Sequence, residues 1–185
     1  VQKKYGDFSK QQGEIEDLFK HVKYYFPTSP NPEVVTVIGE VNPSNKVVYT
    51  GKMALISLDL YHGEQHQFYQ DIYNYQRENL NERQMMPDLA TAILETKIPP
   101  GKDSSFLTAM IYYGKQLYMK DLLLPEFTDA EKIGYKPEKL AWCEEYESYI
   151  WRNFIENNYL YDTDPKLIPR FIIPAPFSKF YLEID

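Results

Sequence analysis

Apolar residues recur along this chain with two different periods, and the change between them separates a short β-prone stretch from a long helical remainder. Between residues 15 and 26, Ile15, Leu18, Phe19, Val22, Tyr25 and Phe26 fall on one side of a helix. Pro27 ends that pattern, with Pro30 and Pro32 in the exit loop. Three β-prone runs follow, over residues 33–38, 46–50 and 53–61. The turns Asn42-Pro43-Ser44-Asn45 and Gly51-Lys52 between them predict an antiparallel meander. In the third run Ala54, Ile56, Leu58 and Leu60 share one face, leaving Ser57 and Asp59 on the other.

The remainder reads as helix over residues 67–80, 81–96, 105–125 and 138–157, punctuated by Pro99-Pro100-Gly101 and Leu124-Pro125. Thr128-Asp129-Ala130-Glu131 opens a short helix with acidic residues in its first turn, as the helix dipole favours. From Asp162 onward, Pro165, Pro169, Pro174 and Pro176 predict an extended, irregular tail. The predicted class is α+β: one domain over residues 1–185, its small three-stranded meander packed against a mostly helical C-terminal part.

Two of these helices carry a carboxylate where the pattern calls for an apolar residue. On the 105–125 wheel, Phe106, Leu107, Met110, Ile111, Tyr113, Leu117, Tyr118, Leu122 and Leu124 make a broad apolar face. Asp121 falls near its centre, beside the notch left by Gly114. On the 138–157 wheel, Leu140, Cys143, Tyr146, Ile150, Trp151, Phe154 and Ile155 make the face, and Glu147 sits in its middle. A lone buried carboxylate costs several kcal/mol or takes up a proton, so each predicts a specific partner. Two readings stay open. Asp121 and Glu147, with Gly114 and Trp151, form a structural polar core at a helix junction, or they form an acid–base pair of the kind used in glycoside hydrolysis.

Composition narrows the choice of partners. A net charge of -7 and the lack of a Lys/Arg cluster argue against nucleic acid. Seventeen Tyr, 10 Phe and 2 Trp bring aromatics to 16% of the chain, which suits either a core with wet edges or an exposed face for glycan or protein. The one cysteine, Cys143, has no internal disulfide partner and reads as a small buried hydrophobe. No membrane-spanning run or signal peptide is present. His62, Glu64 and His66 (HGEQH) place two imidazoles and a carboxylate on one face of a strand, a weak metal-ligand candidate beside the plainer reading of a polar loop after Gly63. This is not HExxH, in which Glu directly follows the first His. His21 reads as a polar-edge residue, and no Gly-rich phosphate loop, GxSxG elbow or Cys/His nucleophile occurs, so no cofactor is expected.

A set of strings occurs in order: His21-Val22-Lys23-Tyr24-Tyr25-Phe26-Pro27, Leu58-Asp59-Leu60-Tyr61-His62-Gly63 and Met110-Ile111-Tyr112-Tyr113-Gly114-Lys115. Lys120-Asp121-Leu122-Leu123-Leu124-Pro125, Leu140-Ala141-Trp142, Glu147 with Ile150-Trp151, Leu160-Tyr161 and Pro174-Ala175-Pro176-Phe177-Ser178 follow. In this ordered combination the chain resembles the gliding-motility lipoprotein GldB family of Bacteroidetes, from about Leu18 onward. The resemblance implies an envelope lipoprotein facing the periplasm, tethered through an acylated N-terminal Cys that this chain does not carry. It implies a role in gliding and the associated type IX secretion, exercised through protein partners of that machinery. The stretch between Phe8 and Leu18 is shorter than the family's, and the family continues past Asp185 into another helix.

The family is also distantly similar to zinc-dependent peptidases with HExxH on a helix and a further Glu on a later one. Under that relation Tyr112 and Gln116 stand where the two His would be, Tyr113 stands where the base would be, and Glu147 matches the third ligand. One carboxylate cannot hold a catalytic zinc, which needs about three protein ligands. The leading expectation is therefore a non-catalytic descendant of a peptidase scaffold. A zinc-dependent hydrolase and a glycan-binding module using exposed tyrosines are the alternatives.

Overall fold

A computed structural model describes residues 1–172. The string Pro174-Ala175-Pro176-Phe177-Ser178, and with it part of the predicted tail, lies outside them. Helix α1 (Gln2–Tyr5) leads into α2 (Ser9–Tyr25), which begins six residues before its apolar pattern does. Ile15, Leu18 and Val22 bury one stripe of α2. The extra turns are held by polar contacts, with the Gln11 amide and the Lys10 ammonium both donating to Glu82 Oε1, at 3.0 and 2.9 Å.

The fold is α+β, and its sheet is mixed rather than a meander. Strands β1 (Glu33–Val37), β2 (Val47–Tyr49) and β3 (Met53–Ser57) lie in the order β1-β3-β2. The turn at Gly51, with φ +85°, folds β2 back antiparallel to β3 as predicted. Strand β1 instead runs parallel to β3, pairing Glu33 with Met53 through to Val37 with Ser57. The reason lies at the end of β3. The chain leaves β3 through a 3-10 turn (Leu58–Leu60), which brings Asp59 inward beside its apolar neighbours. The Asp59 carboxylate then accepts the backbone N–H groups of Gly39 (3.0 Å) and Val41 (2.9 Å). That holds the β1–β2 connection across the end of β3, so β2 arrives on the far side of it.

The helices pack against this sheet and one another. Helix α3 (Asn74–Arg77) is short, and the stretch predicted as helix over residues 67–80 is otherwise turns. Helix α4 (Met85–Glu95) buries Met85, Met86, Leu89, Ala90, Ile93 and Leu94 against the sheet, α2 and α5. Helix α5 (Phe106–Leu123) starts where predicted, with Ser105 Oγ accepting from the Thr108 N–H. The predicted start of α6 (Asp129–Ile133) is a full capping box between Thr128 and Glu131, and Gly134 ends it at φ +79°.

Two further expectations for the helical part fail. The helix over residues 138–157 is two, α7 (Pro137–Glu145) and α8 (Glu147–Glu156), broken at Tyr146 (φ -103°, ψ 19°). Of its predicted apolar face only Phe154 is buried, and Ile155 is exposed. Second, the proline-bearing tail is not wholly extended: α9 (Leu167–Phe171) carries Pro169 in its first turn, where a missing N–H breaks no helical bond. Leu167 and Phe171 join Phe106 and Phe154 in a small aromatic cluster, separate from the main core. Phe154 meets the rings of Phe106 and Phe171 edge-on at 5.2 and 5.0 Å.

Gly114, in the middle of α5, is not a packing notch. It is exposed, and a Cβ there would meet nothing within 4 Å. Gly114→Ala is therefore expected to stabilise the protein by about 0.5–1 kcal/mol through helix propensity alone, read from equilibrium urea unfolding.

Candidate functional site

The face of α5 that turns inward is not the one the apolar pattern selects. Ile111 and Tyr118, both on the predicted face, are 50% and 66% exposed, whereas Phe106, Gln116, Lys120 and Leu123 are buried. Positions 116, 120 and 123 follow helical spacing, so two polar residues sit at the centre of the buried stripe. They line a cavity of about 480 Å³ between α4, α5 and α6. A larger groove of about 650 Å³ runs between α2 and β1, but its polar lining residues Gln12, Glu16, Lys20 and Lys23 are all exposed. The α4–α5–α6 cavity, by contrast, is lined by the buried polar residues Gln84, Gln116, Lys120 and Lys132.

Its polar wall is a set of linked charges. Tyr61, fully buried, donates to Asp88 Oδ2 at 3.1 Å, and the same oxygen meets Lys46 Nζ at 3.1 Å. Lys120 Nζ donates to the Lys132 carbonyl at 2.7 Å, its one hydrogen bond among the described residues. Burial pulls the Lys120 ammonium down to about 8, with Lys46 adding to that effect and Asp88 and Glu95 opposing it. Gln116, 3% exposed, has no partner for its Nε2 in hydrogen-bond geometry. Its amide is still close enough to Tyr112 to offset part of the upward push that burial gives that phenol. Tyr135 on the rim is pushed up to about 12, chiefly by burial.

The sequence-predicted residues fall elsewhere. Asp121 is exposed, and its Oδ1 pairs with Lys132 Nζ at 2.9 Å. Glu147 is exposed in the first turn of α8, where its Oε1 accepts from Trp151 Nε1 at 3.4 Å. Trp151 is itself 39% exposed. Neither carboxylate is a buried lone charge, because the rotation of α5 and the break at Tyr146 turn both toward solvent. The two share no partner, so the geometry does not join them as an acid–base pair.

In HGEQH the two imidazoles meet and the carboxylate leaves. The His62 and His66 rings stack at 4.5 Å, while Glu64 reaches Lys136 at 3.6 Å. His66 Nδ1 accepts from the Phe68 N–H as a helix cap, and His62 donates its backbone N–H to Tyr69 Oη. Burial first, and the adjacent His66 second, hold His62 below the usual imidazole range. No group of three His, Cys, Asp or Glu suited to a metal ion occurs among the described residues. His21, read as a polar-edge residue, donates Nδ1–H to the Leu123 carbonyl at 2.9 Å and so ties α2 to the end of α5. Cys143 is partly buried, and burial raises its thiol.

The sequence reading therefore missed Lys120, and took Gln116 for a lost ligand position rather than a buried donor. Their signal was present, since four residues separate them and three more lead to Leu123, but Lys and Gln on a helix usually face water.

Among known proteins, no curated protein and no solved structure matches the chain. The family described as "Gliding motility protein GldB" matches it over residues 1–185, the entire length. The match bears out the ordered strings along α2, α5 and the α7–α8 pair, and the chain belongs to the gliding motility protein GldB family.

Proposed function

We propose that this protein is a non-catalytic component of the gliding-motility apparatus, held in the cell envelope by an N-terminal lipid and working through protein partners, including those of type IX secretion. Its family supports the motility role and the lipoprotein character. No helix among the described residues is long and apolar enough to cross a membrane. One observation carries the non-catalytic part. The resemblance to zinc peptidases puts Tyr112, Tyr113 and Gln116 at the ligand and base positions of α5, and one turn on from Gln116 the chain buries the Lys120 ammonium in the cavity that Tyr113 and Gln116 line. A buried cation beside an amide disfavours a divalent metal and supplies no ligand set for one.

Complementation in a gliding host tests the reading. A strain lacking the protein is expected to lose gliding, and the double variant Tyr112→Phe with Tyr113→Phe to restore it as well as wild type does. Loss of gliding by that variant at normal abundance would overturn the non-catalytic reading. So would stoichiometric zinc with chelator-sensitive peptide hydrolysis in the purified protein. In-cell cross-linking of the complemented strain is expected to capture envelope proteins of the gliding and secretion machinery, and their absence would count against action through partners.

A further inference from the structure

The cavity between α4, α5 and α6 contains more hydrogen-bond donors than the chain satisfies. Lys120 Nζ carries three donors and uses one, on the Lys132 carbonyl. Gln116 Nε2, one turn earlier on the same face, uses none in hydrogen-bond geometry. Charge is unbalanced in the same direction. Lys46 and Asp88 neutralise each other at 3.1 Å, and Lys132 turns its ammonium outward to Asp121 and Asp129. Among the described residues Lys120 has no carboxylate within salt-bridge distance, and Glu95 stands exposed at the rim. A native interior satisfies nearly all its buried polar groups, so an unpartnered amide beside an ammonium that uses one of its three donors points to an acceptor from outside.

Met110, Leu117, Ile133, Phe171 and Ile172 form an apolar wall of the cavity, while Asn79, Gln84 and Thr91 add polar groups on the side of α4. Gly114 lies exposed at the rim on the α5 side, with open space where a side chain would stand. The volume, about 480 Å³, lies within the roughly 300–1,000 Å³ of small-molecule sites. We propose that this cavity binds an apolar chain ending in a carboxylate, whose oxygens meet Lys120 Nζ and Gln116 Nε2 while the chain lies along the apolar wall behind Gly114. A free aliphatic acid and the C-terminal residue of another polypeptide share that chemistry. The inference does not depend on the proposed motility role, and its test is made on the purified protein.

Titration calorimetry distinguishes the sources, with octanoate compared against octanol, and a four-residue apolar peptide as its free acid compared against its C-terminal amide. Octanoate or the peptide acid is expected to bind at least tenfold more tightly than its uncharged counterpart, and whichever binds names the source. Lys120→Met is expected to weaken that ligand by about 10–100-fold, the worth of a charge-assisted hydrogen bond. Gly114→Trp, which keeps both donors and fills that open space at the rim, is expected to block entry while the circular dichroism and unfolding midpoint stay those of a folded chain.

Affinity should also follow the Lys120 charge. The groups facing it are Lys46, Asp88, Glu95, Lys132, Tyr113 and Tyr135, and burial sets its proton loss near 8. The dissociation constant is then flat from pH 6 to 7.5 and weakens by up to tenfold per unit above pH 8. Equal binding of acid and uncharged probe, an unaffected Lys120→Met, an unaffected Gly114→Trp, or failure of both acids to bind the folded wild type would each overturn the proposal.

Discussion

Replacing Asp59 with alanine is expected to cost about 3–4 kcal/mol of folding stability. Asp59 is 1% exposed, and its two carboxylate oxygens accept the backbone N–H groups of Gly39 and Val41. A hydrogen bond to a charged group contributes about 1.5–3 kcal/mol, and removing the acceptor leaves two partly buried N–H groups unpaired. The same contact holds Val41 at φ +54°, a left-handed conformation that costs a β-branched residue at least about 1–2 kcal/mol. Relief of that strain and of the buried charge returns part of the loss, which keeps the expected value below the sum of the bonds. Asp59→Asn keeps the shape but sets an amide N–H against one backbone donor, and about half the loss is expected. Urea unfolding gives the difference, and hydrogen exchange locates it, because the Gly39 and Val41 amides should lose protection in both variants. A change below about 1 kcal/mol for Asp59→Ala would show that the β1–β2 connection holds its path without the carboxylate.

Lys120→Met is expected to act in the opposite direction and to raise stability at neutral pH by about 2 kcal/mol. The ammonium ionises near 8 in the folded protein against 10.5 in the unfolded chain. Between these values the unfolded state binds the proton more strongly, so the buried charge penalises folding fully below pH 8. The penalty fades as pH rises toward 10.5. Its full size is about 3 kcal/mol at 1.36 kcal/mol per pKa unit. Methionine removes it while keeping a similar length, and the Lys132 carbonyl loses its donor at about 1 kcal/mol. The advantage of the variant should therefore be constant from pH 6 to 7.5 and vanish by about pH 10, measured as the difference between two urea-unfolding series. A destabilised variant at pH 7, or a difference that does not change with pH, would show that the ammonium is solvated rather than buried.

Much of the local structure could be read from residue order. Pro27 stops α2, Ser105 starts α5, Thr128 and Glu131 cap α6, and Gly51 turns β2 into β3, each through backbone chemistry that acts within a few residues. The ordered strings along the chain were likewise enough to place it in its family. The inward face of α5 was not readable, because apolar residues occur all the way around that helix and the periodic signal has no clear maximum. With Leu, Ile, Met and Tyr available on every side, the choice falls to what each side meets. The Lys132 carbonyl, brought close by α6, accepts the Lys120 ammonium, while Asp121 finds its partner in the outward Lys132 Nζ. The helix over residues 138–157 misled for a related reason, since its apolar positions require a continuous helix and Tyr146 interrupts it.

What the sequence by itself determined is the stops and starts at Pro27, Gly51, Ser105 and Thr128, the α+β class, and the family, since caps, turns and ordered strings are settled by near neighbours. What only the tertiary structure decided is which way each element faces and how the strands are ordered. Those outcomes depend on partners far apart in the chain: Asp59 reaching back 18 and 20 residues to Val41 and Gly39, and Lys120 reaching forward 12 to Lys132. A hydrophobic pattern records how much of a helix wants to be buried. It does not record which distant donor or acceptor will be waiting on either side.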